Sequence, residues 1–373
     1  MIPDTALSLE DLAHLSRSVE IGRQGWGRVS PNPMVGCVLV RAGEVIAEGH
    51  HEVYGGPHAE VVALERALLT ADGSTAYVSL EPCNHHGRTP PCSQALIDAG
   101  VKRVVYAASD PGEKSGGGAV ALQKAGLSVI GPVGSMAEAR AENPAFFHAA
   151  RHSTPFVALK LAMSLDGMIA AAPGVATRIT GTDAEREVHR LRTGFDAVLV
   201  GAGTVRADDP RLTVRLVPPG STAPRRLVLL PDANLPADAG LLQEVEDAPV
   251  HVFCGVDASE VAIERLEAAR VHVHPVPADE TGLRLESVLA VCQELGIQSI
   301  LCEGGSALGA ALLRENLVGR LYLWIAPHVI GQNGLPAFAE GLEQLDWNAY
   351  SLSAEPELFG PDTLLILDRK EDG

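Results

Sequence analysis

In residues 1–150, some segments have the apolar pattern of strands and others have that of helices. Short apolar or strictly alternating runs predict strands at 34–40, 44–49, 75–80, 103–109 and 128–133. Apolar residues spaced three and four apart predict helices that begin at Ser8 and then occupy 58–69, 93–99, 119–125 and about 135–150. Because strands and helices alternate in this way, the sequence predicts a three-layer α/β domain.

The rest of the chain shows the same alternation. Strands are predicted at 155–164, 196–203, 225–230, 250–254, 271–276, 298–302 and 320–326, with an antiparallel strand added by the tail 364–369. Helices are predicted at 183–192, 259–269, 285–295 and 306–316. Pro155 keeps the residue before it out of helical geometry, so we place a domain boundary after residue 150. The 373 residues therefore predict two α/β domains, 1–150 and 151–373.

Composition and charge narrow the kind of partner. The chain is 46% hydrophobic and 20% charged, which is typical of a folded globular protein. Its net charge of -18 repels a phosphate backbone, which favours a small-molecule substrate over nucleic acid. No apolar run approaches the roughly 18 to 20 residues of a membrane helix, and the start MIPDTALSLEDL lacks a signal-peptide pattern. We therefore expect a cytoplasmic protein that does not associate with membranes.

One group of residues has the spacing of a catalytic zinc site. His58 and Glu60 lie at a predicted helix start, and two cysteines that each follow a proline, Cys83 and Cys92, come later with eight residues between them. Catalytic zinc takes three protein ligands and leaves one position open. A His-x-Glu followed by Pro-Cys and a second Cys is typical of zinc deaminases, in which the glutamate carries protons. The alternatives are a structural zinc site, or buried cysteines near an exposed glutamate.

Further histidines surround this group. They are His50, His51, His85 and His86. A neutral histidine in a loop commonly serves only as a hydrogen-bonding residue. We take His85, in the loop between the two cysteines, as a candidate substrate contact.

Three segments of the first half resemble a known family. They are SPNPMVGCVLV (30–40), GGPHAEVVAL (55–64) and SLEPCNHHGRTPPC (79–92). They resemble the deaminase half of the bifunctional riboflavin-biosynthesis deaminase-reductases. The resemblance implies a cytidine-deaminase-like three-layer α/β/α fold and a substrate that is a diaminopyrimidinone with a ribosyl 5′-phosphate. It further implies that Asn32 contacts the base and that Arg88 helps to hold the phosphate.

The second half resembles the reductase half of the same family. The matching segments are FVALKLAMSLDGMIA (156–170), GAGTVRADDPRLTVR (201–215) and CEGGSALGAALL (302–313). The resemblance implies a dihydrofolate-reductase-like fold that binds NADPH and reduces the ribosyl group to ribityl. By motif match, the implied cofactor residues are Ala162, Thr204, Asp208, Gly305, Ser306, Ala307, Leu308, Gly309, Ala310 and Ala311. The implied substrate residues are Lys160, Arg192, Leu212, Arg215 and Glu303.

The residues themselves allow simpler interpretations of this half. The glycine groups at 201–204 and 303–309 either present backbone amides to a phosphate or form tight turns. Arg192 and Arg215 either bind substrate or form surface salt bridges.

Three departures from the family pattern also affect the prediction. Ala176 and Arg178 stand where a Ser-x-Trp is common, Pro231 stands where an aspartate is usual, and the segment 110–118 lacks the usual Asn after Asp-Pro. The second half could therefore be a non-catalytic domain that binds a nucleotide or assembles a homo-oligomer, and we expect a homo-oligomer in either case. The same zinc chemistry on a tRNA adenosine or on free cytidine is a further alternative. The spacing of the cysteines disfavours both, and the acidic charge also disfavours the tRNA.

Overall fold

A computed structural model describes residues 7–68, 70–85, 90–112, 115–133, 141–280, 282–338, 346 and 348–370. The chain divides into two compact units, Met1–Arg151 and His152–Gly373. None of the helices within the described ranges has the length and apolar character needed to cross a bilayer.

The N-terminal unit is built on a five-stranded sheet. Its strands are β1 (Gly36–Arg41), β2 (Glu44–His50), β3 (Thr75–Leu80), β4 (Arg103–Ala108) and β5 (Ser128–Ile130). Its helices are α1 (Leu9–Gly22), α2 (Ala59–Ala67), α3 (Cys92–Asp98), α4 (Gly118–Lys124) and α5 (Pro144–Ala149). The strand order is β2-β1-β3-β4-β5, with β1 antiparallel to both neighbours and β3, β4 and β5 parallel.

Helices cover both faces of this sheet. Alternate side chains of a strand point to opposite faces, and here Leu39 packs with α2, α3 and α4 while Val38 packs with α1. Helix α2 lies so close to β2 that a Cβ at Gly49 would come within 2.6 Å of the Ala59 carbonyl oxygen. This close approach fixes the start of α2 against the sheet. The predicted three-layer α/β fold is confirmed.

The C-terminal unit has a larger, mostly parallel sheet. Its main strands are β6 (Phe156–Ser164), β8 (Ala197–Gly201), β9 (Arg225–Leu229), β10 (Val250–Gly255), β11 (His272–Val276), β14 (Ser299–Cys302), β15 (Val318–Ala326), β17 (Tyr350–Leu352), β18 (Glu357–Phe359) and β19 (Asp362–Arg369). Short pairs are formed by β7 (Met168–Ala170) with β16 (Leu335–Pro336) and by β12 (Ala278–Asp279) with β13 (Gly282–Leu283). The strand order is β11-β10-β9-β8-β14-β6-β15-β19-β17, and β18 pairs with β19.

Within the described residues, five α-helices complete this unit. They are α6 (Thr182–Thr193), α7 (Ala202–Asp208), α8 (Glu260–Ala268), α9 (Leu285–Glu294) and α10 (Ser306–Arg314). Most of the main strands run parallel to one another: β6, β8, β9, β10, β11, β14 and β15. Strand β19 runs antiparallel to β15, as predicted for the tail. The α/β prediction for the second half is confirmed.

The structure corrects the predicted bounds in three places. The run 196–203 was predicted as one strand, but the strand ends at Gly201 and α7 begins at once. The strand predicted over 128–133 ends at Ile130. Of the helix predicted over 135–150, the structure gives Pro144–Ala149, and residues 134–140 lie outside the described ranges.

Candidate functional site

The three predicted metal ligands meet where three elements begin or end. His58 precedes α2 in extended backbone, Cys83 follows β3, and Cys92 is the first residue of α3. The Nδ1 atom of His58 lies 3.5 Å from the Cys83 sulfur and 3.3 Å from the Cys92 sulfur. Bonded nitrogen and sulfur atoms around a tetrahedral zinc ion lie about 3.6 Å apart. Within the described residues, these three form the one His, Cys, Asp or Glu group compact enough to hold a metal ion.

The electrostatics of the two cysteines also fit a cation. The Cys92 side chain and backbone N–H both donate to the Cys83 sulfur, which lowers the pKa of Cys83 to about 4. The same contact raises the pKa of Cys92, because its proton is shared with a neighbouring thiolate. Two sulfurs that compete for one proton can both become thiolates when a divalent cation lies between them. The donor set therefore fits zinc.

Glu60 lies in the first turn of α2, beside these ligands. Its side chain is 3% exposed. Burial raises the pKa of Glu60 to about 7, with a further contribution from the Cys83 thiolate. A carboxyl group with a pKa close to neutrality can both accept and donate a proton near pH 7. The carboxyl group does not belong to the compact ligand set, which suits a proton carrier.

A cavity of about 330 Å³ opens onto the metal ligands and Glu60. Asn32 and His85 both line it, as expected for substrate contacts. The Nδ1 atom of His85 is buried and has no hydrogen-bond partner among the described residues. Arg88, the predicted phosphate contact, lies outside the described residues.

His51 fixes the orientation of Asn32. The His51 Nδ1–H donates to the Pro57 carbonyl at 2.9 Å, which leaves Nε2 as an acceptor for the Asn32 amide at 3.1 Å. Burial lowers the pKa of His51, in keeping with this neutral form. The cavity wall also includes Tyr54, Asp110 and Phe146, which the sequence analysis did not select as site residues.

A second polar group lies in the C-terminal unit. The guanidinium group of Arg192 donates to both carboxylate oxygens of Glu303, at 2.6 and 2.9 Å, and each side chain is 10% exposed. Arg192 also donates to the Thr213 carbonyl at 2.9 Å. The surface salt-bridge interpretation of Arg192 is therefore wrong: its partner is a buried carboxylate 111 residues away.

Lys160 lies close to this ion pair. It is on β6, and its ammonium group is 5.7 Å from the centre of the Trp324 ring. Burial lowers the pKa of Lys160, and the carboxylates of Glu303 and Asp208 oppose that shift. The structure thus brings together Lys160, Arg192, Glu303 and Asp208, which four separate segments supply.

Leu212 and Arg215 lie on a loop beside the ion pair. The side chain of Leu212 is buried, and the guanidinium of Arg215 donates to the Thr213 hydroxyl at 3.0 Å. Burial lowers the pKa of Arg215, and the positive charges of Arg192 and Arg211 act in the same direction, so these cations lie near one another. Arg215 is exposed, so its guanidinium group is suited to bind an anionic group.

The implied cofactor residues lie on β6, on α7 and in the first turns of α10. Thr204 and Asp208 are on α7, Ala162 is on β6, and 305–311 spans the first turns of α10. A Cβ at Gly305 would lie 3.6 Å from the Thr204 hydroxyl, so the two helix starts are adjacent. The buried Ser306 hydroxyl has no hydrogen-bond partner among the described residues. A hydroxyl group and first-turn backbone amides at a helix start fit a phosphate-bearing cofactor.

Not every residue of 305–311 is equally accessible. Ala307 is exposed, Gly305, Leu308 and Ala311 are half-buried, and Ser306, Gly309 and Ala310 are buried. Of the residues that depart from the family pattern, Ala176, Arg178 and Pro231 are exposed. Arg178 forms an ion pair with Glu185 at 2.8 Å.

Both units match families of known proteins, and nearly the whole chain matches individual known proteins. The family model described as "RibD C-terminal domain" matches residues 155–356, and the "Cytidine and deoxycytidylate deaminase zinc-binding region" matches residues 10–108. The riboflavin biosynthesis protein RibD of Actinobacillus pleuropneumoniae is 38% identical over 361 residues, which cover 96% of this chain and 95% of that protein. RibD of Escherichia coli K12 is 37% identical over 369 residues, with 96% and 99% covered.

The solved structures agree. Acinetobacter baumannii RibD, form 1, has a TM-score of 0.80 at 33% identity and covers 97% of this chain and 99% of its own. The diaminohydroxyphosphoribosylaminopyrimidine deaminase/5-amino-6-(5-phosphoribosylamino)uracil reductase of Thermotoga maritima has a TM-score of 0.80 at 32% identity, with the same coverage. The resemblance stated from the sequence is confirmed. The chain belongs to the riboflavin biosynthesis protein RibD family.

Proposed function

We propose that this chain catalyses two successive steps of riboflavin biosynthesis. Residues 1–150 deaminate a diaminopyrimidinone that carries a ribosyl 5′-phosphate, and residues 151–373 reduce the ribosyl group of the product to ribityl with NADPH. The observation that carries the first step is the buried Glu60 beside a His-Cys-Cys set on the wall of one cavity. The near full-length similarity to RibD proteins supports the second.

In the first step, the chain's own residues move protons and hold the base. Zinc, if held by His58, Cys83 and Cys92, would lower the pKa of a water molecule enough to make it a nucleophile at neutral pH. Glu60 accepts a proton from the attacking water and donates protons to the ring nitrogen and to the departing ammonia. One water is consumed, a carbonyl replaces the amine, and one ammonia is released. Asn32, held by His51, and His85 bind the base, and Arg88 binds the phosphate.

In the second step, the polar group of the C-terminal unit orients the sugar phosphate. NADPH, when bound at the starts of α7 and α10, supplies a hydride. Glu303, held by Arg192, accepts hydrogen bonds from sugar hydroxyls, and Arg215 binds the anionic group. Lys160 contacts the sugar from β6, next to the cofactor residue Ala162. A homo-oligomer, a preference for NADPH and a cytoplasmic location stay predictions.

A coupled assay with two variants tests both halves. Wild-type protein given the first substrate and NADPH should release ammonia and oxidise NADPH in equal amounts. Cys92→Ser should lose zinc and ammonia release but still oxidise NADPH when it is given the deaminated intermediate. Lys160→Met should release ammonia normally and oxidise little NADPH.

The same assay separates the alternative of a non-catalytic C-terminal unit. If wild-type protein releases ammonia but neither binds nor oxidises NADPH in the presence of the deaminated intermediate, the reductase assignment is wrong. The exposed positions of Ala176, Arg178 and Pro231 favour an active reductase, because none of the three belongs to the buried Lys160–Arg192–Glu303 group.

A further inference from the structure

The loop between α7 and β9 has an unfavourable backbone conformation at one of its proposed substrate residues. Leu212 has a φ of 58°, in the left-handed region that L side chains rarely adopt. Its side chain is nevertheless 3% exposed, so the residue is fully packed. Such a conformation persists only when the surrounding structure fixes it. The residues around 211–215 therefore help to determine how the proposed reductase binds its substrate.

Three side chains from outside the loop hold its backbone. Arg226 on β9 donates to the Arg211 carbonyl at 3.1 Å, and Arg192 on α6 donates to the Thr213 carbonyl at 2.9 Å. The backbone N–H of Arg215 donates to the Nδ1 atom of His189 at 3.1 Å. Arg226 also binds the Ala248 carbonyl and Arg192 also binds Glu303, so changing either arginine disturbs two contacts at once. His189 offers the cleaner perturbation.

His189 can accept this hydrogen bond only while its ring is neutral. It lies one turn before Arg192 on α6 and is 2% exposed. Burial lowers the pKa of His189 to about 4, and the charges of Arg192 and Arg215 act in the same direction, whereas Glu303 opposes them. The ring therefore remains an acceptor throughout the physiological pH range.

We propose that His189 is a positioning residue of the reductase site, which fixes the backbone of Arg215 and so directs its guanidinium group at the substrate phosphate. The proposal rests on the reductase function stated above. The Thr213 hydroxyl accepts a hydrogen bond from Nη1 of the same guanidinium group, and no group within the described residues engages its Nε and Nη2 atoms, which suits them to an anion. A cation whose backbone and side chain are already ordered loses less entropy when the ligand binds.

Two substitutions at His189 separate the hydrogen bond from the bulk of the ring. His189→Leu fills similar volume with an apolar side chain and removes the acceptor. His189→Asn places an amide oxygen close to the position of Nδ1 and keeps it. With the deaminated intermediate and NADPH, we expect His189→Leu to raise the KM for the intermediate about tenfold, with kcat and the KM for NADPH within about twofold of wild type. His189→Asn should restore most of the lost affinity.

A dephosphorylated intermediate and a packing control complete the test. Because His189 acts through the phosphate contact, wild type and His189→Leu should have similar KM values for the dephosphorylated compound. Val188→Ala removes buried apolar volume from the same helix and should leave both KM values unchanged. Ammonia release should be normal in all of these variants.

Several results would overturn the proposal. They are an unchanged KM in His189→Leu, an Asn variant as impaired as the Leu variant, and a KM increase that persists without the phosphate. Loss of NADPH binding together with substrate binding in His189→Leu would identify a structural role instead. Absence of NADPH oxidation by wild type would count against the reductase function itself, which keeps the two failures distinct.

Discussion

The substitution Glu60→Gln should remove deamination and at the same time stabilise the metal-free protein. Glutamine has nearly the same shape, so the packing at the start of α2 and the three zinc ligands should be retained. Because general acid–base transfer contributes about 10²- to 10⁴-fold to a rate, ammonia release should fall by that factor. Zinc content should remain one ion per chain.

The stability effect follows from the buried carboxyl group. Burial raises the pKa of Glu60 from its ordinary value of 4.5 to about 7 in the metal-free chain. Above pH 4.5 the unfolded state ionises first, while the folded state keeps its proton until about pH 7, so stability falls across that interval. A shift of this size corresponds to about 3 kcal/mol at pH 8, and glutamine has no such penalty.

Denaturant unfolding of the chelator-treated proteins measures this effect. Metal-free Glu60→Gln should exceed metal-free wild type by about 3 kcal/mol at pH 8, and the difference should nearly vanish at pH 4.5. Zinc should narrow the difference, since a nearby cation favours the ionised glutamate. Glu65→Gln, an exposed position on the same helix, should change neither stability nor activity. Near-normal ammonia release, or a stability difference that does not depend on pH, would refute this reasoning.

Two further substitutions test how the N-terminal unit holds its site. Asp11 accepts hydrogen bonds from Tyr77 and Arg103, each at 2.6 Å. Asp11→Asn should therefore lower the free energy of unfolding, measured with denaturant, by about 2–3 kcal/mol. Glu20→Gln on the same helix is the control and should lower it by less than about 0.5 kcal/mol. A Cβ at Gly118 would collide with the Pro82 carbonyl, next to Cys83. Gly118→Ala should therefore lower zinc content and ammonia release but leave NADPH oxidation of the deaminated intermediate intact; normal zinc content would contradict this prediction.

The zinc site could be predicted from the sequence because its geometry is mostly local. His58 and Glu60 share the start of one helix, and Cys83 and Cys92 flank one loop. Each lies where the apolar pattern already places the end of a strand or the start of a helix. One long-range step, the packing of α2 beside α3 on the same face of the sheet, then brings them together.

The cavity wall could not be predicted in the same way. Asn143 exchanges two hydrogen bonds with the backbone of Met34, at 2.7 and 3.0 Å, across 109 residues. Phe146, three residues later, lines the cavity. Nothing in the local pattern around Asn143 indicates which distant segment of the chain it contacts. The helix α7 was missed for a different reason: the apolar run 196–203 fits a strand to its end, and only the tertiary structure shows the change at Gly201.

Arginines in the C-terminal unit show how burial changes the meaning of a charged residue. From the sequence, Arg192 fitted either a substrate contact or a surface ion pair, because the pattern of a single helix does not reveal a carboxylate 111 residues away. Arg226 is more deeply buried than Arg192, with no exposed surface, and its guanidinium group donates to the carbonyls of Ala248 and Arg211. Burial accordingly lowers the pKa of Arg226 to about 10. An arginine buried in a strand is costly unless its donors are satisfied, and here one of them, which donates to the Arg211 carbonyl, also holds the loop that carries Leu212 and Arg215. Burying Arg226 therefore helps to order the loop that contains the proposed substrate residues.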